Sequence, residues 1–238
     1  MTMTLRNAMV LAAGLGTRMR PANNVKPKPL VEVRGRTLID RVLDRLIDAD
    51  ITNVVVNLHY KAEMLRTHLD GRKDVAIHFS DETGTLLDTG GGVAKALPLL
   101  GGAPFLTHNS DSLWIEGMGR AIPRLAAAFD PERMDALMLM ASTVTATGYD
   151  GRGDFIMDEE GHLRRREEAR VAPFVWTGVQ IVHPRLFEGC PTGAFSINLL
   201  LNRAIDQNRL YGLRHDGIWM HVGDPDGLAE AEARLAAL

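Results

Sequence analysis

Gly14, Gly16, Arg18 and Lys28 are the residues of this chain best suited to chemistry on an anion. They lie in Leu11-Ala12-Ala13-Gly14-Leu15-Gly16-Thr17-Arg18-Met19-Arg20-Pro21, followed by Lys26-Pro27-Lys28-Pro29-Leu30. Glycines directly after an apolar run let the backbone turn tightly and present consecutive N–H groups, a geometry that cradles phosphate. Arg18 and Lys28 add fixed positive charge at two points of the same loop. Met19 replaces the third glycine of a G-x-G-x-x-G dinucleotide fingerprint, and no G-x-x-x-x-G-K-[ST] is present. The run therefore reads as a triphosphate site, with Ala13, Gly14, Leu15, Gly16 and Thr17 forming the cradle. A bare strand-to-helix turn is the alternative for G-x-G-T-R taken alone.

Two further groups have residue types fitted to the same chemistry. Ala103-Pro104-Phe105-Leu106-Thr107-His108 has the composition of a buried strand and leads into Asn109-Ser110-Asp111. A carboxylate there stands where ligands bind, and Mg²⁺ is typically held by one or two protein carboxylates together with substrate phosphates. Asp111 is thus a candidate metal ligand or a helix cap, and Asn109 a nucleotide contact or a turn former. Asp88-Thr89-Gly90-Gly91-Gly92 precedes a helical pattern. Three glycines make either a flexible turn or a backbone surface that a flat base can approach closely, with Thr89, Gly90 and Gly91 as its contacts.

These residues need a scaffold to converge. Ala8 to Ala13 reads as a first buried strand, Asn53 to Leu58 as a second, and Val75 to Phe79 as a third. Leu38, Ile39, Val42, Leu43, Leu46 and Ile47 mark one face of a helix that Thr37 can cap, and a second helix is expected over 61–69. This alternation predicts a parallel sheet with right-handed crossovers and a ligand site beyond the carboxyl ends of its strands. A helix is expected over 118–129 despite Pro123, a buried strand over 135–142, a new β segment from Gly151, a long strand over 174–183, and a final helix over 225–235. The methionines of the 135–142 strand, Met138 and Met140, read as core.

A chain of 238 residues with 45% apolar content can bury a large α/β core. The net charge of −3 argues against a nucleic-acid partner. The single cysteine, Cys190, excludes an intramolecular disulfide and fits a reducing cytoplasm. No signal-peptide pattern precedes Asn7 and no apolar run is long enough to span a membrane. A cytoplasmic protein without a membrane partner is expected, either a monomer or a small homo-oligomer.

The 11–30 stretch resembles, almost residue for residue, the L-A-A-G-x-G-T-R-M-x-P…K-P-L signature of the sugar-phosphate nucleotidylyltransferases. That resemblance implies one Rossmann-like three-layer domain over 1–238 with a mostly parallel central sheet. It assigns about 1–145 to the nucleotide and about 146–238, smaller and β-rich, to the acceptor. The implied reaction joins an NTP to a sugar 1-phosphate with release of pyrophosphate, with Arg18 and Lys28 as the catalytic cations. Asp111 matches the metal-binding Asp of the family's N-G-D, here Asn109-Ser110-Asp111. The T-G-G-G form of 89–92 resembles uridylyltransferases and favours UTP, and Mg²⁺ is the expected ion, with Mn²⁺ as the other candidate. Likeness in 174–195 narrows the acceptor to N-acetylmuramic acid α-1-phosphate in cell-wall sugar recycling. Guanylyl or thymidylyl transfer to mannose-, heptose- or glucose-1-phosphate is the alternative, and a nucleotide-sugar binding module with weakened catalysis is the second. The glycine-bearing strands of the family imply sugar contacts at Gly153, Glu168, Thr177 and Gly178.

Two departures from the family pattern stand out. The lysine of an E-K-P motif that holds the sugar phosphate in relatives has no counterpart near Glu168. In Trp219-Met220-His221-Val222-Gly223-Asp224-Pro225, His221 occupies the place of the family's second metal-binding Asp. Imidazole suits Mn²⁺ or Zn²⁺ better than Mg²⁺. Direct ligation by His221, ligation through water and no role at the metal are all open, and Asp224 is expected to cap the last helix.

Overall fold

The computed structural model describes residues 3–19 and 26–237; Arg20 and Pro21, the end of the glycine motif, lie outside the described residues. In chain order the elements are β1 (Asn7–Leu11), β2 (Glu32–Val33), β3 (Arg36–Thr37), α1 (Leu38–Asp48), β4 (Asn53–Leu58), α2 (Ala62–Leu69) and β5 (Ala76–Asp81). There follow α3 (Asp88–Leu100), β6 (Phe105–Asn109), β7 (Ser112–Ile115), α4 (Ala121–Ala128), β8 (Ala136–Ser142), β9 (Phe155–Met157) and β10 (Leu163–Arg165). The chain ends with β11 (Phe174–Val182), α5 (Asn198–Asp206), β12 (Leu210–Arg214), β13 (Ile218–His221) and α6 (Pro225–Ala236).

The expected parallel unit is present: β1 pairs in parallel with β4 and β6, and β4 with β5. β11 runs antiparallel between β6 and β8, and β12 extends the far edge in parallel with β8. The second half of the chain thus builds into the sheet that the first half starts. The β9–β10 hairpin joins at Phe174↔Phe155.

Alternation along the strands divides the core into two faces. Val10, Val54, Val56, Leu106, Leu137 and Val179 pack under α1, α2 and α4. Met9, Val55, Phe105, Met138 and Val182 pack under α3 and α5, so the strand methionines are core as their pattern implied. The result is a three-layer α/β fold. A third, smaller cluster joins Met19, Val31, Leu38, Leu113, Met220 and Ala231. It packs α6 and the antiparallel β7–β13 pair against the segment that follows the glycine loop.

Local chemistry accounts for several boundaries. Thr37 caps α1 by accepting from the Asp40 N–H at 3.2 Å, and Asp224 caps α6 by accepting from the Gly227 N–H at 2.9 Å. α4 starts at Ala121 rather than 118, which places Pro123 in the first turn, where its missing N–H is harmless. The largest difference is at 88–92. The glycines form no loop; they lie inside the first turns of α3, all three buried. No helix among the described residues is long and apolar enough to cross a membrane.

His108 on β6 is fully buried and stacks on Trp114 at 5.3 Å. Its Nδ1 must carry the proton, because its partner at 2.8 Å is the Asn109 carbonyl. Burial pushes its pKa down to about 4. The unfolded chain, titrating near 6.5, then binds the proton more readily, so stability present above pH 6.5 is lost as pH falls toward 4. Between pH 7 and 4.5 this one group should remove about 2 to 3 kcal/mol. His108→Phe should be weaker at neutral pH yet lose that much less on acidification, as urea midpoints at the two pH values would show. Equal acid sensitivity in the two proteins would refute the assignment.

Candidate active site

A cavity of about 570 Å³ opens beyond the carboxyl ends of β1, β4 and β6. It is lined by the whole run Leu11 to Arg18, by Lys28 and Pro29, and by Asn109, Ser110 and Asp111. Asn57, Glu82, Leu86, Asp88, Thr89 and Gly223 complete the wall. That volume falls in the range of small-molecule sites. The position follows from the sheet: parallel strands end together, and the loops that leave them face the same space.

The glycine loop has the shape its composition implied. Gly16 takes φ +58°, and a Cβ there would stand 3.1 Å from the Lys28 Cβ, so glycine lets the loop fold against the lysine segment. The N–H groups of Gly14, Leu15 and Gly16 have no acceptor among the described residues, which suits them to phosphate oxygens. The Ala13 N–H differs. It donates to the Asn57 Oδ1 at 3.2 Å, so Ala13 lines the cavity with its amide already committed. Arg18 is exposed, with no carboxylate partner among the described residues.

Lys28 lies in a short 3-10 turn between two prolines and donates to Asp111 Oδ2 at 2.6 Å, linking residues 83 positions apart. Burial alone would raise the Asp111 pKa, but Lys28 foremost, and then His221, hold it below the usual carboxylate range. His221 lies one register step from Asp111, opposite Ser112 on the β7–β13 ladder, with its ring stacked on Trp219 at 5.8 Å. Burial, helped by Lys28 and Arg18, lowers its pKa against the opposing pull of Asp111, so the imidazole is neutral at pH 7. It sits behind Gly223, where a Cβ would lie 2.5 Å from its Nε2. A half-buried anionic carboxylate on the wall, with a neutral imidazole close by that does not itself line the cavity, offers donors of the kinds that hold a divalent cation together with substrate phosphates. Asp224 is not part of that set, since its side chain caps α6. Asp158, Glu160 and His162 are another trio close enough to share an ion among the described residues, but they sit on the β9–β10 hairpin and do not line the cavity.

At the other end of the cavity, Thr89 lines the wall as expected, but Gly90 and Gly91 do not. Both donate their N–H to the Phe195 carbonyl, at 2.9 and 3.0 Å, and are therefore not free for a base. Their role is packing: a Cβ on Gly90 would meet the Phe195 ring at 2.4 Å, and one on Gly91 the Gly193 carbonyl at 2.3 Å. Thr89 Oγ1 accepts from the Ile197 N–H at 3.0 Å, so the 193–197 segment is fastened along the start of α3.

The four residues expected at the sugar do not line this cavity. Thr177 is buried and donates its hydroxyl to the Leu139 carbonyl at 2.9 Å, which removes its side chain from consideration as a sugar contact. Gly153 takes φ +77° against the Ala172 carbonyl, 2.2 Å from where a Cβ would be. Glu168 is exposed, and its carbonyl is held by Arg166 at 2.8 Å. The same guanidinium binds the carbonyls of Gly153, Glu167 and Arg170, so Arg166 braces this loop and is no substitute for the missing lysine. Gly178, at a break in the β11–β8 register, takes φ +82° and lies directly against the Asn109 side chain.

Asn57 and Glu82 escaped the sequence reading. Asn57 falls inside the strand expected over 53–58, and Glu82 lies beyond the strand expected over 75–79. A buried amide at the carboxyl end of a parallel strand was the available signal, because buried polar groups need partners.

The description "Nucleotidyl transferase" belongs to the family whose sequence model matches residues 7–149. An N-acetylmuramate alpha-1-phosphate uridylyltransferase of Caulobacter vibrioides is 47% identical, with 96% of each chain covered. The enzyme of the same description from Neisseria meningitidis serogroup B is 35% identical over 97% of this chain and 98% of its own. Among solved structures, a UDP-glucose pyrophosphorylase complexed with UDP-glucose shares the fold, with a TM-score of 0.79 at 15% identity over 98% of this chain and 99% of that one.

Proposed function

Because the chain belongs to the nucleotidyl transferase family and is a nucleotidyltransferase, we propose that it transfers the uridylyl group of UTP to N-acetylmuramic acid α-1-phosphate. The observation that carries the reaction is the convergence of the glycine loop, Arg18 and the Lys28–Asp111 pair on one cavity. The choice of base and acceptor is supported by two relatives that resemble the chain over nearly its whole length. A cytoplasmic site of action goes with this reading, as does the one free, half-buried cysteine.

An oxygen of the acceptor phosphate attacks the α-phosphorus in line. The bond to the bridging oxygen of the β-phosphate breaks, and pyrophosphate leaves with that electron pair. Such displacements need position and charge more than covalent help. The N–H groups of Gly14, Leu15 and Gly16 hold the triphosphate, Arg18 neutralises the departing β- and γ-phosphates, and Lys28 stands beside the α-phosphate. A divalent ion, Mg²⁺ or Mn²⁺, would be held by Asp111 with His221 beside it, supplying further charge neutralisation on the phosphates. The wall of Glu82, Leu86, Asp88 and Thr89 is left for the nucleoside.

A pyrophosphate-release panel crossing four NTPs with N-acetylmuramic acid, N-acetylglucosamine, glucose and mannose 1-phosphates, in Mg²⁺ and again in Mn²⁺, tests the reading. Turnover greatest with UTP and the muramic acid phosphate is expected. Preference for GTP or dTTP, or nucleotide binding without pyrophosphate release in either metal, overturns it. Arg18→Ala should lower kcat by about a hundredfold, the scale for losing a group that acts on developing charge. Its stability should move by less than about 0.5 kcal/mol, since the side chain is exposed and without a carboxylate partner among the described residues.

A further inference from the structure

Asn57 and Glu82 form a buried relay that touches both ends of the cavity through backbone groups. Asn57 is 3% exposed and Glu82 1%. The Asn57 Oδ1 accepts from two successive amides where β1 gives way to the glycine loop, Ala12 at 2.7 Å and Ala13 at 3.2 Å. Its Nδ2 donates to Glu82 Oε1 at 2.7 Å, and Glu82 Oε2 accepts from the Leu87 N–H at 3.1 Å, one residue before α3. Room for the pair comes from α3 itself: a Cβ on Gly92 would stand 2.8 Å from Glu82 Oε1 and 3.2 Å from Asn57 Nδ2. That close approach gives Gly92 a reason to be glycine.

The directions of these bonds follow from the atoms. Two backbone N–H groups require an acceptor from residue 57, which turns the amide NH₂ toward residue 82. Residue 82 must then accept twice, from that NH₂ and from the Leu87 N–H, and a carboxylate is the side chain that does so. Flipping the Asn57 amide would set its NH₂ against two backbone donors and its oxygen against the Glu82 carboxylate, and buried unpaired polar groups are costly.

We propose that Asn57 and Glu82 are positioning residues: they set the separation between the triphosphate cradle and the start of α3. The inference rests on the nucleotide reading of the cavity. A splint of this kind matters because a displacement of about 1 Å in a group that orients substrate can cost about a hundredfold in rate.

A double substitution tests the relay by reversing its polarity. Asn57→Asp keeps the acceptor for Ala12 and Ala13 but sets two carboxylates face to face. Glu82→Gln leaves one of its two donors unanswered. In Asn57→Asp/Glu82→Gln every bond has a partner again. The carboxylate introduced at position 57 accepts from the amide NH₂ introduced at position 82, and the carbonyl of that same amide accepts from the Leu87 N–H. The net charge equals that of the parent.

Each single variant should lose tenfold or more in kcat/KM for the NTP, and the double variant should recover to within about threefold. Hydrogen exchange at the Ala12 and Ala13 amides should accelerate at least tenfold in Asn57→Leu and be restored in the double variant. That exchange measurement needs no substrate, so it separates failure of the relay from failure of the nucleotide reading. Should Asn57→Leu not fold, the polarity-reversed pair still decides. A double variant no better than the worse single, in exchange and in kcat/KM, overturns the proposal, as do single variants with parental kinetics.

Discussion

Lys28→Met is expected to lower kcat by about a hundredfold or more, because in the proposed reaction it deletes the cation beside the reacting phosphate. The structure adds a consequence for stability, because Lys28 is tied to the half-buried Asp111 at 2.6 Å. Without the ammonium, Asp111 loses the main influence holding its pKa below the usual range, and the carboxyl titrates higher. A carboxylate with a depressed folded pKa lends stability above its unfolded pKa and loses it as pH falls through the folded one. Lys28→Met removes that contribution at neutral pH, at a cost of about 1 to 2 kcal/mol, less than for a fully buried charge because the Asp111 side chain keeps 21% of its exposure on the cavity wall. The parent's contribution is lost only as pH falls below 3.8, so the variant should be less deficient relative to the parent at about pH 3 than at pH 7. Adding Asp111→Asn supplies the control: the neutral amide no longer needs a counter-ion. The double variant should regain most of the melting temperature and none of the turnover. Recovery of turnover would assign the lysine to structure alone.

Gly178→Ala should reduce kcat/KM by about a hundredfold with only modest loss of stability. Gly178 has φ +82°, and a Cβ built on it lies 2.6 to 2.8 Å from the Asn109 side chain. Left-handed backbone at a non-glycine residue costs about 1 to 2 kcal/mol. The larger effect is on Asn109, which lines the cavity two residues before Asp111 and must move to make room. Melting curves and steady-state kinetics separate the two quantities. Near-parental kcat/KM in a folded Gly178→Ala protein would show that the position of Asn109 does not matter. Gly178, expected at the sugar, is the space into which the cavity-lining Asn109 side chain fits.

Much of the scaffold was legible because it is local. The apolar runs of β1 and β4, the helical face of α1, and the caps Thr37 and Asp224 depend on neighbours within a few residues. The parallel order and the place of the cavity follow from strands alternating with helices. The motif from Gly14 to Lys28 and the carboxylate of Asp111 could be named for the same reason: a turn after a strand puts them at the strand's end whatever the remainder does.

The reading of 88–92 failed because local propensity was overruled. Glycines disfavour a helix by about 1 kcal/mol each, yet Phe195, Gly193 and Glu82 crowd this helix so closely that larger residues would not fit. The role of Thr177 failed similarly, since its partner Leu139 is 38 residues away on a neighbouring strand.

Sequence pattern alone locates the strands and helices of the first parallel unit and sets the glycine loop and Asp111 at strand ends, whereas β7, α5, β12 and β13 have no counterpart in it. Only the tertiary structure decided that Lys28 is paired with Asp111, that His221 is neutral beside them, and that Asn57 and Glu82 join the two ends of the cavity. The physical reason is range. Periodicity and turn chemistry act within a few residues of chain. Hydrogen-bond direction, close approach and pKa depend on atoms brought together from 25 positions apart, as for Asn57 and Glu82, to more than 100, as for Thr89 and Ile197 at 108.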